Sequence, residues 1–186
     1  MTPDERLAEL VAAEAEGVLP ELLLFWGHQP TATGEPGPGC LSQWWPAPFT
    51  VDGVRYRTAE HWMMAGKARL FGDEDSLESV LKAQNPGKAK AVGREVEGFH
   101  EPTWAVHCYD LVVAGNLAKF GQHHQLRDYL LSTWDLVLVE ASPYDRVWGI
   151  GLAESDEAAR TPSRWRGRNL LGFALMDIRD RLSRSG

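Results

Sequence analysis

The spacing of apolar positions changes along this chain, and each change marks an element. Leu7, Leu10, Val11 and Ala15 recur at helical spacing behind Thr2-Pro3-Asp4-Glu5. That tetrad is a capping box with proline at the first helical position, so a helix is expected over 2–16, with Gly17 at its end. Leu22 to Trp26 is a short unbroken apolar run and reads as a strand. Pro30 to Gly39 is rich in Pro, Gly and Thr and reads as a loop. Between Pro48 and Arg57, Asp52-Gly53 separates two β-prone runs, which predicts a hairpin.

A helix follows from Thr58 to Phe71, with Thr58 as N-cap and Glu60 in the first turn. Ser76 is expected to cap a short helix, and Asn85-Pro86 to start another that carries Lys88, Lys90 and Arg94. Pro102 to Phe120 reads as a longer helix buried through Trp104, Cys108, Leu111, Val112 and Leu117. His123 to Thr133 is one more, with Leu126, Tyr129 and Leu130 inward. Leu136 to Glu140 is the best strand of the second half and runs into a loop that ends at Gly151. Ser155 to Arg168 is expected to be a second mobile region, before an amphipathic helix from Leu170 to Arg184. The pattern is mainly α, with short β-strands and a β-hairpin. Residues 1–20 form an accessory helix, and 21–186 form one domain.

Composition narrows the function. At 186 residues with 44% hydrophobic content, the chain is globular and long enough to bury a core. Its net charge of −7 argues against sequence-independent nucleic-acid binding but leaves room for a small anion held by a local basic cluster. Eight tryptophans exceed what a core of this size requires, and tryptophans beside charges in glycine-rich loops more often line a ligand surface. Cys40 and Cys108 make no disulfide framework, and neither a signal peptide nor a membrane-length apolar run is seen. A reducing cytoplasm, with no membrane partner, is the expected setting.

Several chemistries lack their residues. The His123-His124 pair faces two ways on a helix, and no H-E-x-x-H or paired C-x-x-C occurs, so no metal is expected. Gly149-Ile-Gly151 lacks the third glycine of a dinucleotide cradle, and no P-loop or G-x-S-x-G elbow occurs. No cofactor is therefore expected. What remains is Glu60 and Lys67, on one helical stripe with Met64 and Phe71 and roughly 10 Å apart along the axis. Asp145 and Trp148 lie on the loop after the last strand. Ser42 and Trp44 sit beside a turn, as an anchor for the loop or as a stacking surface. Carboxylates act as acid or base, a desolvated lysine attacks a carbonyl carbon, and arginine forks hold phosphate. The set suits a nucleotide or sugar-phosphate with chemistry at an anomeric carbon.

Seven motifs then occur in order. They are Leu41-Ser-Gln-Trp-Trp-Pro-Ala-Pro-Phe49, Glu60-His61 with Lys67-Ala68, Pro86-x-x-Ala-Lys90-x-x-Gly-Arg94, Leu117-Ala-Lys-Phe120, Leu138-Val-Glu140, Asp145-x-x-Trp-Gly-Ile-Gly151 and Gly167-x-Asn-Leu-Leu-Gly172. Together they resemble the NADAR family, also called YbiA-like, from about Phe25 to Leu182. The resemblance implies a compact, mostly helical domain. It also implies an N-glycosidase that cleaves a ribose C1–nitrogen bond, in ADP-ribose attached to guanine of a nucleic acid or in a phosphorylated riboflavin-pathway intermediate.

Carried over by position, Glu60, Lys67 and Asp145 take the catalytic places, with Trp148 and Gly149 beside them. Arg94, Lys119 and Asn169, with Ser42 and Trp44, match polar or aromatic positions around the pocket. Two positions depart from the family pattern: Met64 stands where many members have Gln, and Gln43-Trp44 replaces an Asn-aromatic pair. These departures bear on which base or sugar hydroxyl is read. A second function class, a module that binds or senses NAD-derived ligands without turnover, fits the same pocket residues.

Overall fold

The structure, a computed structural model, describes residues 1–184. Helices dominate: α1 (Pro3–Ala15), α2 (Ala59–Phe71), α3 (Glu74–Lys82), α4 (Pro86–Arg94), α5 (Glu101–Gln122), α6 (His124–Ser132) and α7 (Leu170–Ser183). Four short strands accompany them: β1 (Leu22–Phe25), β2 (Phe49–Val51), β3 (Val54–Tyr56) and β4 (Val137–Glu140). By packing, the chain divides into two units, one of residues 1–42 with the chain from 128 onward, the other of residues 43–127.

The first unit is built on β1 and β4, which pair in parallel with Leu22 opposite Val137 and Phe25 opposite Glu140. Val137, Leu138 and Val139 are all buried, as expected of a parallel strand covered on both faces. α7 packs on β4, and Leu170, Leu171, Phe173, Ala174, Leu175 and Ile178 of this helix are buried. So close is the approach at Gly172 that a Cβ there would lie 2.0 Å from the Leu138 carbonyl oxygen. At the far end of α7, buried Arg179 donates from Nη1 to Thr133 Oγ1 and to the Leu136 carbonyl, both at 2.9 Å.

α1 forms the capping box its sequence predicts: Thr2 Oγ1 accepts from Glu5 N–H, and Glu5 Oε2 accepts from Thr2 N–H. Gly17 follows it with φ of +73°. Arg6 pairs with Asp177 of α7 at 2.8 Å, and Asp4 pairs with Arg168 at 2.9 Å. Glu14 accepts both the N–H and the hydroxyl of Ser163. The region expected to be mobile, 155–168, contains 3-10 turns at Glu157–Arg160 and Pro162–Arg164, with Ala158, Ala159 and Pro162 buried. Alanine and proline carry little rotamer entropy, so they order at low cost despite a polar composition.

The second unit packs α2 against α3, α4 and α5. Its hairpin turns at Asp52 (φ +49°) and Gly53 (φ +78°), the two left-handed residues that a type I′ turn requires. α2 is capped by Thr58 and ends on Gly72 at φ +72°, a left-handed C-terminus suited to glycine. The cap of α3 is Asp73, whose Oδ1 accepts from Ser76 N–H at 2.9 Å; Ser76, expected as the cap, lies inside the helix. Both residues have the right chemistry, and a carboxylate also favours the helix N-terminus.

α5 begins one residue before and ends two residues after the expected span. Trp104 and Leu117, expected in its core face, are half-buried, while Gly115, Asn116 and Lys119 are buried. Trp62 explains this shift. Its ring lies where any Cβ at Gly115 would stand, and its Nε1–H donates to the Leu111 carbonyl at 2.7 Å.

Candidate active site

In the second unit, Glu60 is buried in the first turn of α2, at 2% exposure. Its main-chain N–H donates to the carbonyl of Gln43 at 3.0 Å. The Gln43 side chain is fixed in turn: Oε1 accepts from Asn116 Nδ2 at 2.7 Å, and Nε2 approaches Met63 Sδ at 3.5 Å. Asn116 donates its second amide proton to the Val112 carbonyl at 3.0 Å, so its amide orientation is determined. One helical turn further along α5, Lys119 is fully buried, with Nζ 4.7 Å from the Phe120 ring centroid. Glu60, Gln43 and Asn116 are thus linked by hydrogen bonds and all buried, and Lys119 is buried one turn beyond Asn116 on the same helix, positions where apolar side chains would pack at no desolvation cost.

Gln43 stood out in the sequence only as a departure from the family pattern, and Asn116 was not singled out. Asn116 carried a readable signal: it interrupts the apolar i, i+4 series Val112, Asn116, Phe120 on the inward side of α5.

Lys67 lies two turns along α2 in a different setting. Its Nζ donates to the Gly93 carbonyl at 2.6 Å and stands 4.0 Å from the Phe99 ring centroid and 5.9 Å from that of Trp104. Burial holds the ammonium below the usual lysine pKa. Met64 fills the space along the stripe between Glu60 and Lys67: a Cβ built on Gly93 would meet Met64 Sδ at 2.0 Å. Met64 is therefore an α2–α4 packing contact. Arg94, at the end of α4, is exposed. Trp44 is half-buried, and its ring lies 3.6 Å from where a Cβ on Gly87 would stand, at the start of α4.

His61, beside Glu60, is a bridge within the unit. Its Nε2 is 3.1 Å from the Ala83 carbonyl and its Nδ1 is 2.8 Å from Thr58 Oγ1. A carbonyl only accepts, so Nε2 carries the proton and Nδ1 accepts from the hydroxyl. Burial lowers the ring's pKa, outweighing the Ala83 hydrogen bond that favours the charged form, and Arg57 adds to the lowering. A groove of about 440 Å³, lined by Tyr56, Trp62, Arg69 and Leu111, contains none of the expected site residues.

In the first unit, Ser42 is half-buried just after the 3-10 turn Pro38–Leu41 and donates its N–H to the Gly39 carbonyl. Asp145 follows β4 in a loop held on itself and on the start of α7. Its Oδ1 accepts from Val147 N–H at 2.9 Å and from Trp148 N–H at 2.7 Å, leaving Oδ2 outside this turn. The carbonyls of Val147 and Trp148 accept the N–H groups of Leu170 and Leu171, the first two of α7. Gly149 cannot bear a side chain, since a Cβ would lie 2.8 Å from the Glu140 carbonyl oxygen. Trp148 is half-buried, its main chain fixed on both sides.

Asn169, expected at the pocket, uses its amide on the open edge of β4. Its Oδ1 accepts from Glu140 N–H and its Nδ2 donates to the Leu138 carbonyl, both at 2.9 Å. It is fully buried, with φ of +55°, and its own N–H donates to the Gly149 carbonyl. Its amide thus bonds the β4 main chain on both sides, and its own N–H ties the start of α7 to Gly149.

Among the described residues, no three or more His, Cys, Asp or Glu side chains converge as a metal site. No helix among them is long and apolar enough to cross a membrane.

These features define a helical domain with a parallel strand pair, a hairpin and buried polar groups on α2 and α5. The chain belongs to the NADAR domain family, whose model matches residues 24–183, starting after α1. It is 40% identical over 145 residues to N-glycosidase R617 of Acanthamoeba polyphaga mimivirus, covering 75% of this chain and 85% of that protein. It is 32% identical over 136 residues to N-glycosidase YbiA of Escherichia coli strain K12, covering 73% and 76% respectively. The NMR structure of E. coli YbiA superposes with a TM-score of 0.71 at 27% identity, covering 89% of this chain and 86% of the other.

Proposed function

We propose that this protein is an N-glycosidase that hydrolyses the bond between a ribose C1 and a nitrogen in a nucleotide-like substrate. The observation that carries the reading is the burial of Glu60, hydrogen-bonded through its main chain to Gln43 and thence to Asn116, in a chain whose relatives are named N-glycosidases. In this reading Glu60 or Asp145 is the carboxylate that protonates the departing nitrogen or activates water. Lys67, among Phe99, Trp104 and Met64, has the partly desolvated amine that can trap the opened ribose as an imine. Trp148 offers a ring face to the substrate; Ser42, Trp44, Arg94, Lys119 and Gly149 supply further contacts, and Asn169 steadies the loop.

Two substrates are in view: ADP-ribose linked to guanine in a nucleic acid, and a phosphorylated riboflavin-pathway intermediate. Incubating the protein with each, and measuring released ADP-ribose or ribose 5-phosphate, tests the reading. Release that is lost in Glu60→Gln supports it. Binding of either compound with no release over hours would overturn it in favour of a sensing module.

A further inference from the structure

Large apolar side chains at the surface are unevenly placed. Trp26 is 56% exposed, Tyr144 87% and Val147 47%, and all three sit at one end of the β1–β4 pair or on the loop that leaves it. Trp26 directly follows β1, and Tyr144 directly precedes Asp145. Their ring centroids are 6.4 Å apart with the planes 52° apart, so they form an open V rather than a closed stack. Both strands run in the same direction, and this end is their carboxyl end, where parallel sheets characteristically present ligands.

Several arginines follow Tyr144 in the chain, after Asp145 directly beside it. Arg146, Arg164, Arg166 and Arg168 are exposed within the first unit. The Arg166 N–H bonds to the Ile150 carbonyl and the Arg168 N–H to the Arg146 carbonyl, which draws the two segments together. The stems of Arg146 and Arg166 converge on Gly151: a Cβ there would lie 3.0 Å from Arg146 Cγ and 3.1 Å from Arg166 Cβ. Arg168 is paired with Asp4, whereas Arg146 and Arg166 have no carboxylate partner among the described residues. A local basic cluster in a chain of net charge −7 is a departure from its background.

We propose that Trp26 and Tyr144 form a stacking platform for a nucleobase and that Arg146 and Arg166 hold its phosphate, making a nucleoside-phosphate subsite beside Asp145. A patch of three apolar residues is too small for a protein partner, and the neighbouring guanidinium groups select an anion. Aromatic faces accept any base, and arginines track a phosphate backbone. This assignment deepens the N-glycosidase reading by naming a subsite for that reaction, yet binding tests it independently of turnover. The occupant is either the nucleoside phosphate of a dinucleotide-like substrate or a nucleotide of a strand that carries the scissile group.

The test is calorimetric titration of the full chain with AMP and with a single-stranded DNA oligonucleotide. Wild type is compared with Trp26→Ala, Tyr144→Ala, Arg146→Ala/Arg166→Ala and the ring-preserving Trp26→Phe. All four residues are exposed, and thermal melts verify folding. The expected result is an affinity loss on the order of tenfold for each aromatic deletion, recovered largely in Trp26→Phe, and a flatter salt dependence in the double arginine variant. Aromatic-dependent binding of AMP with no gain from the oligonucleotide assigns the subsite to a dinucleotide-like substrate; tighter oligonucleotide binding assigns it to a strand. Equal affinities in wild type and both alanine variants, or no binding of either probe, would overturn it. Aromatic-dependent binding without product release would keep the subsite and sink the hydrolase reading.

Discussion

Lys67 points its ammonium at the main-chain carbonyl of Gly93, 2.6 Å away, and lies 4.0 Å from the Phe99 ring centroid. Both partners favour the cation, one by hydrogen bonding and one through the ring quadrupole. Desolvation opposes them and prevails, because Lys67 titrates below the ordinary lysine value. The side chain is therefore held and partly activated at once.

Lys67→Arg separates these two roles. Arginine keeps the charge, reaches the same carbonyl and stacks on the same rings, but forms no imine. The variant should fold with an unchanged melting temperature and lose activity by a factor on the order of a hundred or more. Borohydride should trap an adduct on wild type only, with wild-type turnover rising with pH as the amine deprotonates below 10.5. Substantial turnover by Lys67→Arg would reduce Lys67 to an electrostatic role.

Met64 and Gly93 should behave as one unit. The Met64 sulfur occupies the place a Gly93 Cβ would need, so Gly93→Ala forces α2 and α4 apart or the methionine off its rotamer. A cost of about 1–3 kcal/mol is expected from overpacking. Met64→Ala leaves a cavity and costs about 2–5 kcal/mol. The double variant fills part of that cavity, so its loss should be smaller than the sum of the two. Additive losses in denaturant melts would show that the contact is slack.

Much of this architecture is legible in the sequence. Helix starts were readable because capping is local: Thr2, Thr58 and Asn85 each accept a hydrogen bond from a main-chain N–H three residues on. Asp52-Gly53 specified the hairpin for the same reason. Partnerships across the chain were not readable. Nothing near Leu22 says that it pairs with Val137, more than a hundred residues away, and nothing near Asn169 says that its amide completes β4. The candidate site divides in the same way. Glu60, Lys67 and Asp145 stood out through residue type in motifs, whereas Gln43 and Asn116 matter through a mutual hydrogen bond that no local spacing encodes. Gly93, beside Arg94, makes room for Met64, a packing role that no spacing announced.

Acid should weaken this fold through His61. Its folded pKa lies below the unfolded value of 6.5, so the unfolded chain binds the extra proton first as pH falls. The stability linked to the neutral ring is complete above about 6.5 and declines as pH drops from there toward the folded pKa. Protonation would also turn Nδ1 into a donor facing the Thr58 hydroxyl that now donates to it. In His61→Gln, which lacks a titrating ring, the melting temperature should fall less steeply between pH 7 and pH 5. Parallel pH profiles for the two proteins would remove His61 as the cause.

Asn169 offers the cleanest separation of backbone from side-chain effects. Its φ of +55° is a conformation that asparagine tolerates, glycine adopts freely and alanine resists by about 1 kcal/mol or more. Its amide satisfies the Glu140 N–H and the Leu138 carbonyl on a strand edge that no other strand covers among the described residues. Removing that amide orphans a donor and an acceptor, at about 1–3 kcal/mol each. Asn169→Gly loses only the hydrogen bonds, while Asn169→Ala adds the strain, so stability should fall from wild type to glycine to alanine. Asn169→Asp keeps the acceptor toward Glu140 but sets a second oxygen against the Leu138 carbonyl, and it should rank with alanine or below. The loop carrying Asp145 is bonded to this same turn through Gly149, Val147 and Trp148. Turnover should therefore drop in the glycine variant even where it remains folded, with kcat affected more than KM. Equal stability of the glycine and alanine variants, or full kcat in glycine, would show that the loop holds its shape without Asn169.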